Sequence, residues 1–254
     1  MKTLIVIPAR YGSTRFPGKP LVLIRNKPLI QWVWERASRS RLASGVVVAT
    51  DDERIFRAVE FFGGQAVMTS PDHPSGTDRI AEAARKVKRA GMNADLYVNI
   101  QGDEPLIEPK EIDRLIAAAA KSRADIATLA HEIGTEAEAA NPNVVKVVRA
   151  ANGDALYFSR SPIPFWRDRP PTPGKGKKAA PGPVLWRHIG IYAYRAAALR
   201  KFVTLSPGTL EKAESLEQLR ALEHGMRIAV VPTKMRCQGV DAPSDLALVE
   251  KLLK

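Results

Sequence analysis

The chain has 254 residues, 45% of them apolar, and a formal net charge of +12. That is enough apolar residue for one large packed α/β domain, and it argues against disorder. No apolar run reaches the roughly 18 residues of a membrane span, the opening MKTLIVIPAR is too short in its apolar part for a secretory signal, and a single cysteine, Cys237, excludes an internal disulfide, so a cytoplasmic protein with no membrane insertion is expected.

LIVIP (residues 4–8) reads as a buried strand. PARYGSTRFPGKP (residues 8–20) follows directly, with Arg10, Arg15 and Lys19, two glycines and no acid. KPLIQWVWERAS (27–38) has a helical apolar face, VVVAT (46–50) is a strand, and ERIFRAVEFFG (53–63) is a helix stopped near Gly63. AVMT (66–69) is short and extended, and TDRIAEAARKVKRAG (77–91) is a helix with Asp78 in its first turn and Gly91 beyond its end. The cations of its ARKVKRA segment read as a solvated face. LYVNIQ (96–101) is again a strand. This alternation predicts a mostly parallel sheet flanked by helices on both faces, with ligands bound beyond the C-terminal strand ends.

After about residue 110 the pattern changes. VVKVVRA (144–150), LYFSR (156–160) and RHIGIYAYR (187–195) read as antiparallel strands, a smaller β subdomain at about 130–205 within a single domain spanning 1–254. Between the last two lies RDRPPTPGKGKKAAPGP (167–183), a surface loop or flap whose first twelve residues hold five cations against one acid. LEKAESLEQLRALEHG (210–225) reads as one helix, IAVVPT (228–233) as a strand and PSDLALVEKLLK (243–254) as a last helix.

The basic loop after the first strand points to phosphate. Its glycines let backbone N–H groups approach a ligand, Arg offers a fork to phosphate oxygens, and Lys offers a point charge. It is not an ATPase-type phosphate loop: Gly12 and Gly18 are separated by five residues instead of four, and Pro20 stands where Ser or Thr would bind magnesium. NIQGDEP (99–105) ends a strand in Gly and two acids. If that strand neighbours the first, Asp103 sits beside the basic loop as a natural magnesium ligand; taken alone, it reads equally as turn or cap chemistry. GVDAPSD (239–245) repeats the arrangement with Asp241, while Asp245 reads as a first-turn helix acid.

Together, IPARYGSTRFPGKPL, VATDDERI, DHPSGTDRIAE, VNIQGDEP, NPNVVKVV, ALYFSR, RHIGIYAYR, SLEQLR and GVDAPSDL resemble, in order and over nearly the whole chain, the 3-deoxy-manno-octulosonate (Kdo) cytidylyltransferase family. The resemblance implies a Rossmann-like fold of the nucleotide-diphospho-sugar transferase type. It also implies the reaction CTP + Kdo → CMP-Kdo + pyrophosphate with Mg²⁺, in a homodimer serving lipopolysaccharide synthesis, its smaller β subdomain binding sugar and forming the dimer. By match to the family, Arg10, Lys19 and Asp103 are the catalytic candidates, and Asp103 and Asp241 the metal ligands. Pro8, Ala9, Arg10, Arg15, Lys19, Thr50, Asp51, Ser75, Arg79, Gln101 and Gly102 are nucleotide-binding candidates. Arg160, His188, Tyr192, Glu214 and Gln218 are sugar-binding candidates, while Glu214 and Glu217 read equally as lining a helix face. The basic stretch before the sugar strand departs from the family pattern and leaves 8-amino-Kdo or sialic acid open as the sugar. A basic nucleic-acid-binding protein is the reading from another class. It leaves the acids after the strands unexplained, and no nucleic-acid partner is expected.

Overall fold

Every residue of strand β1 (Thr3–Ala9) except Pro8 is buried, as its unbroken apolar run predicts. The structure, a computed structural model, describes residues 1–12, 16–167, 184–236 and 238–253. Arg15, Cys237 and nearly all of the basic loop expected at 167–183 therefore lie outside the described residues. After β1 come a 3-10 turn (Lys19–Leu21), the ribbon β2 (Leu23–Ile24) and β3 (Lys27–Pro28), and α1 (Leu29–Ala37). Alternation then runs through β4 (Gly45–Thr50), α2 (Glu53–Phe61), β5 (Gln65–Met68), α3 (Gly76–Arg89) and β6 (Leu96–Asn99). The second half adds α4 (Pro109–Lys121), β7 (Ile126–Glu132), α5 (Glu136–Ala140), β8 (Lys146–Arg149), β9 (Ala155–Ser159), β10 (Trp186–Arg195) and α6 (Ala196–Phe202). It closes with α7 (Thr209–Glu214), α8 (Gln218–Glu223), β11 (Ile228–Pro232), a second 3-10 turn (Pro243–Asp245) and α9 (Leu246–Leu252).

Among the described residues the main sheet has the order β11-β7-β10-β6-β1-β4-β5. β6, β1, β4 and β5 are mutually parallel, and β11 is parallel to β7. Only β10 runs against its neighbours β6 and β7 along this path. The antiparallel region expected between 130 and 205 is continuous with this sheet: β8 pairs with the start of β10, and β9 with β8. β10 thus carries two sugar-side candidates, His188 and Tyr192, straight onto the edge of β6, with Tyr192 opposite Asn99. The period of two sorts β1 between two cores. Leu4 and Val6 face a layer with Ile80, Phe158 and Phe202, whereas Ile5 and Ile7 face one with Val33, Ile55 and Leu115. On α3, Val87 is buried while Arg85, Lys86, Lys88 and Arg89 are exposed, the solvated face that its pattern predicts.

The sequence reading places no β2–β3 ribbon, α4, β7, α5 or α6, and it runs one helix too far. The helix expected over 210–225 is broken, because Ser215 adopts φ 51°, ψ 49° between α7 and α8. Tertiary bonds explain the break. The Glu214 carboxylate accepts from Ser159 Oγ at 2.6 Å and Arg160 N at 2.9 Å, and its carbonyl accepts from Arg160 Nε at 2.7 Å. A carbonyl turned to Arg160 cannot continue a helix. Left-handed backbone is costly for a residue with a Cβ. Ser215→Gly should therefore hold or raise the melting temperature, whereas Ser215→Val should cost about 1–2 kcal/mol in urea unfolding.

Candidate active site

A cavity of about 270 Å³ opens beyond the C-terminal ends of β1 and β6. Pro8, Ala9 and Arg10 enter it from the end of β1, and Lys19 from the first 3-10 turn. Gln101, Gly102 and Asp103 follow β6, Ser75 and Arg79 come from the start of α3, and Asp241 from the segment after β11. β1 and β6 are hydrogen-bonded parallel neighbours, the condition on which Asp103 was expected beside the basic loop. Their approach is close: a Cβ at Gly102 would stand 2.9 Å from the Pro8 carbonyl oxygen.

Lys19 is the joint of the site. Its Nζ donates to Asp103 Oδ2 at 2.5 Å and to the Val240 carbonyl at 2.9 Å. The Asp103 backbone completes the connection, because its carbonyl accepts from Val240 N at 2.9 Å. An ammonium has three donors, so among the described residues one N–H of Lys19 remains for a ligand. Arg10 is exposed at the cavity mouth. Asp241 is exposed too, and the two backbone N–H groups at Asp241 and Ala242 are capped by Asp245 Oδ2, each at 2.8 Å.

The opposite wall is bolted to the sheet. Arg79, 4% exposed, donates to Asp51 Oδ2 at 2.7 Å and to Thr69 Oγ1 at 2.5 Å. Thr50 is fully buried at the end of β4, where its carbonyl accepts from Thr69 N. Thr50 and Asp51 thus stand behind the cavity wall, and Arg79 is in it. Ser75 caps α3 by accepting from Asp78 N. Its hydroxyl also donates to Asp78 Oδ2 at 2.7 Å.

Of the sugar-side candidates, His188 and Tyr192 lie on β10, Arg160 follows β9, Glu214 ends α7 and Gln218 begins α8. Gln101 Nε2 reaches the Gly190 carbonyl at 3.5 Å. His188 is half-buried between the rings of Phe158 and Tyr192, with Nε2 3.0 Å from Thr128 Oγ1. Burial pushes the His188 pKa down to about 3, so the ring is neutral at pH 7. Burial likewise pushes the Tyr192 phenol up. Gln218 is 7% exposed, and its Nε2 has no partner among the described residues. Arg160 and Glu214 hold one another: besides the bonds above, the Arg160 guanidinium donates to the Pro142 carbonyl at 3.0 Å and the Ser215 carbonyl at 3.4 Å.

His73, Pro74 and Gly76 also line the cavity, and sequence reasoning did not single them out. Their signal was the loop position between a strand end and a helix start. Glu217 is more than a helix face. Its Oε2 accepts from Thr77 Oγ1 at 2.6 Å, its Oε1 is buried without a hydrogen-bond partner among the described residues, and burial raises its pKa. No spacing rule reveals that contact, because α7 and α8 are separated by the Ser215 break.

The chemistry of the acids fits magnesium. Asp103 and Asp241 present two carboxylates to one cavity, and the Asp103 side chain keeps 30% exposure beside Lys19. Mg²⁺ takes one or two protein carboxylates and fills its shell with water and phosphate oxygens.

A family model described as cytidylyltransferase matches residues 4–228. The chain is 52% identical over 256 residues to the 3-deoxy-manno-octulosonate cytidylyltransferase of Thermodesulfovibrio yellowstonii, covering 100% of this chain and 98% of that relative. It is 50% identical over 255 residues to the protein of the same name from Vibrio cholerae, again covering 100% and 98%. A solved structure of CMP:2-keto-3-deoxy-manno-octonic acid synthetase complexed with CTP aligns at a TM-score of 0.88 and 46% identity, over 99% of this chain and 98% of that one. A 4-diphosphocytidyl-2C-methyl-D-erythritol synthase at 17% identity and a TM-score of 0.66 shares the fold. The chain belongs to the cytidylyltransferase family of nucleotidyltransferases, among the 3-deoxy-manno-octulosonate cytidylyltransferases.

Proposed function

We propose that the chain catalyses CTP + Kdo → CMP-Kdo + pyrophosphate, with Mg²⁺, as a cytoplasmic homodimer whose product feeds lipopolysaccharide synthesis. The carrying observation is that Lys19, Asp103 and Asp241, from three distant segments, line one cavity at the strand ends of a cytidylyltransferase fold. In the reaction the anomeric oxygen of Kdo bonds to the α-phosphorus of CTP, the bond from that phosphorus to the β-phosphate oxygen breaks, and the hydroxyl proton passes to solvent. Negative charge grows on phosphate oxygens, so fixed cations and positioning supply the catalysis. Arg10 and the remaining N–H of Lys19 face those oxygens. Asp103 and Asp241 would hold the magnesium, which supplies charge neutralisation on the phosphates and acidifies a bound hydroxyl. On the other side, Asn99 Oδ1, Glu217 Oε1 and Gln218 Nε2 are buried without hydrogen-bond partners among the described residues. A sugar with many hydroxyls would satisfy them. Neutral His188 serves there as a hydrogen-bonding group rather than a cation.

Magnesium-dependent pyrophosphate release is expected from CTP and Kdo together, and from neither alone. Release with sialic acid or 8-amino-Kdo but not with Kdo would overturn the substrate. Asp103→Asn and Asp241→Asn should each lower kcat by about 100-fold or more and raise the magnesium requirement; near-normal rates would remove that residue from the metal site.

His188 also predicts a pH dependence. Its imidazole takes a proton near 6.5 when unfolded but only near 3 when folded. Between these values the unfolded chain binds more protons, so stability rises with pH through the window and is full above it. His188→Gln should flatten the melting-temperature profile between pH 6.5 and 3.

A further inference from the structure

The cavity wall formed by His73, Pro74, Ser75 and Gly76 belongs to the connection between β5 and α3. This connection has no regular structure, and two of its residues, Pro71 and Pro74, have no backbone N–H to hold it. Its ends are fixed by Thr69, bonded to Thr50 and Arg79, and by Ser75, bonded to Asp78; its middle is gripped from α3 by one side chain. Glu82 projects from the second turn of α3; its Oε2 accepts from Ser70 N at 2.8 Å and meets His73 Nε2 at 2.5 Å. Its Oε1 carries Lys86 Nζ at 2.8 Å. His73 and Glu82 side chains are only 18% and 16% exposed. Burial alone would push the Glu82 carboxyl up; Lys86, the Ser70 N–H and His73 outweigh it and hold the pKa at about 2, so the anchor is ionised at every physiological pH. Glu82 does not line the cavity, whereas His73 does.

We propose that Glu82 is the positioning residue of the nucleotide-binding wall: by gripping Ser70 and His73 it sets residues 73–76 in place before CTP arrives. The proposal rests on the CTP reading of the cavity. A wall frozen in advance spares the ligand the cost of ordering it, so the anchor acts on CTP affinity. Its effect on the sugar should be small, because Glu82 bonds none of the Kdo candidates, and the contact of α3 with the α8 side is made by Thr77 and Glu217 rather than by Ser70 or His73.

The test compares wild type with Glu82→Ala, Glu82→Gln and Lys86→Ala. Glu82→Ala should raise the CTP dissociation constant and the CTP KM about ten-fold, with the Kdo KM within about two-fold and the melting temperature nearly unchanged. Glu82→Gln keeps an oxygen for Ser70 and His73 and should fall between. Lys86→Ala cuts the Oε1 pair and the Lys86 bond to the Met68 carbonyl, leaves Oε2 on Ser70 and His73, and should bind CTP as wild type does. Unchanged CTP affinity in Glu82→Ala, or equal rises in both KM values, overturns the proposal. Amide exchange at residues 70–76, measured without ligand, separates the two readings. Faster exchange in Glu82→Ala together with a wild type that ignores CTP means the anchor is real and the nucleotide reading is wrong; unchanged exchange removes the anchor itself.

Discussion

The site depends on one ion pair. Lys19 and Asp103 are 84 positions apart, yet Nζ and Oδ2 stand at 2.5 Å, and the same ammonium takes the Val240 carbonyl, 221 positions away. Three chain segments are thereby held at one point. The pair is partly shielded, with side chains 16% and 30% exposed, so its attraction is stronger than that of a surface pair and less costly than a buried one. It is possible only because β1 and β6 are adjacent and parallel, which brings their C-terminal loops to the same rim. A cation already fixed beside a carboxylate costs little reorganisation when a polyanion arrives.

Helix α3 is the second organising element. Its first turns are gripped on one side by Asp51 through Arg79 and on the other by Glu217 through Thr77. The nucleotide wall and the α8 wall are thus attached to one strut. Arg79 is nearly fully buried and Glu217 is half-buried, so removing a partner would leave a desolvated charge or acid behind. The antiparallel strand β10 completes the arrangement. Inserted beside β6, it sets His188 and Tyr192 next to Gln101 instead of in a separate lobe.

Much of this was legible from residue order. Apolar runs of period two and helical stripes located β1, β4, β6, α2 and α3, and Gly63 and Gly91 do take the positive φ of 82° and 89° expected of helix stops. Asp245 is the capping acid that its position implied. The break at Ser215 was not legible, because its cause is a contact with Arg160 from another strand. The guanidinium of Arg160 reads in the sequence as a free cation for an acidic sugar; in the fold it donates to three carbonyls, while the Glu214 carboxylate takes the Arg160 backbone N–H.

The sequence by itself determined the alternation of strands and helices, the presence of cations and acids just beyond strand ends, and membership of a nucleotidyltransferase family, because local period and motif order are properties of neighbouring residues. Tertiary structure alone decided which of those charges meet. It paired Lys19 with Asp103, turned Arg79 toward Asp51, left Glu217 half-buried against Thr77 and suspended the His73 wall from Glu82. The physical reason is that a side chain's partner and its desolvation depend on strand order and register, which no spacing along the chain encodes.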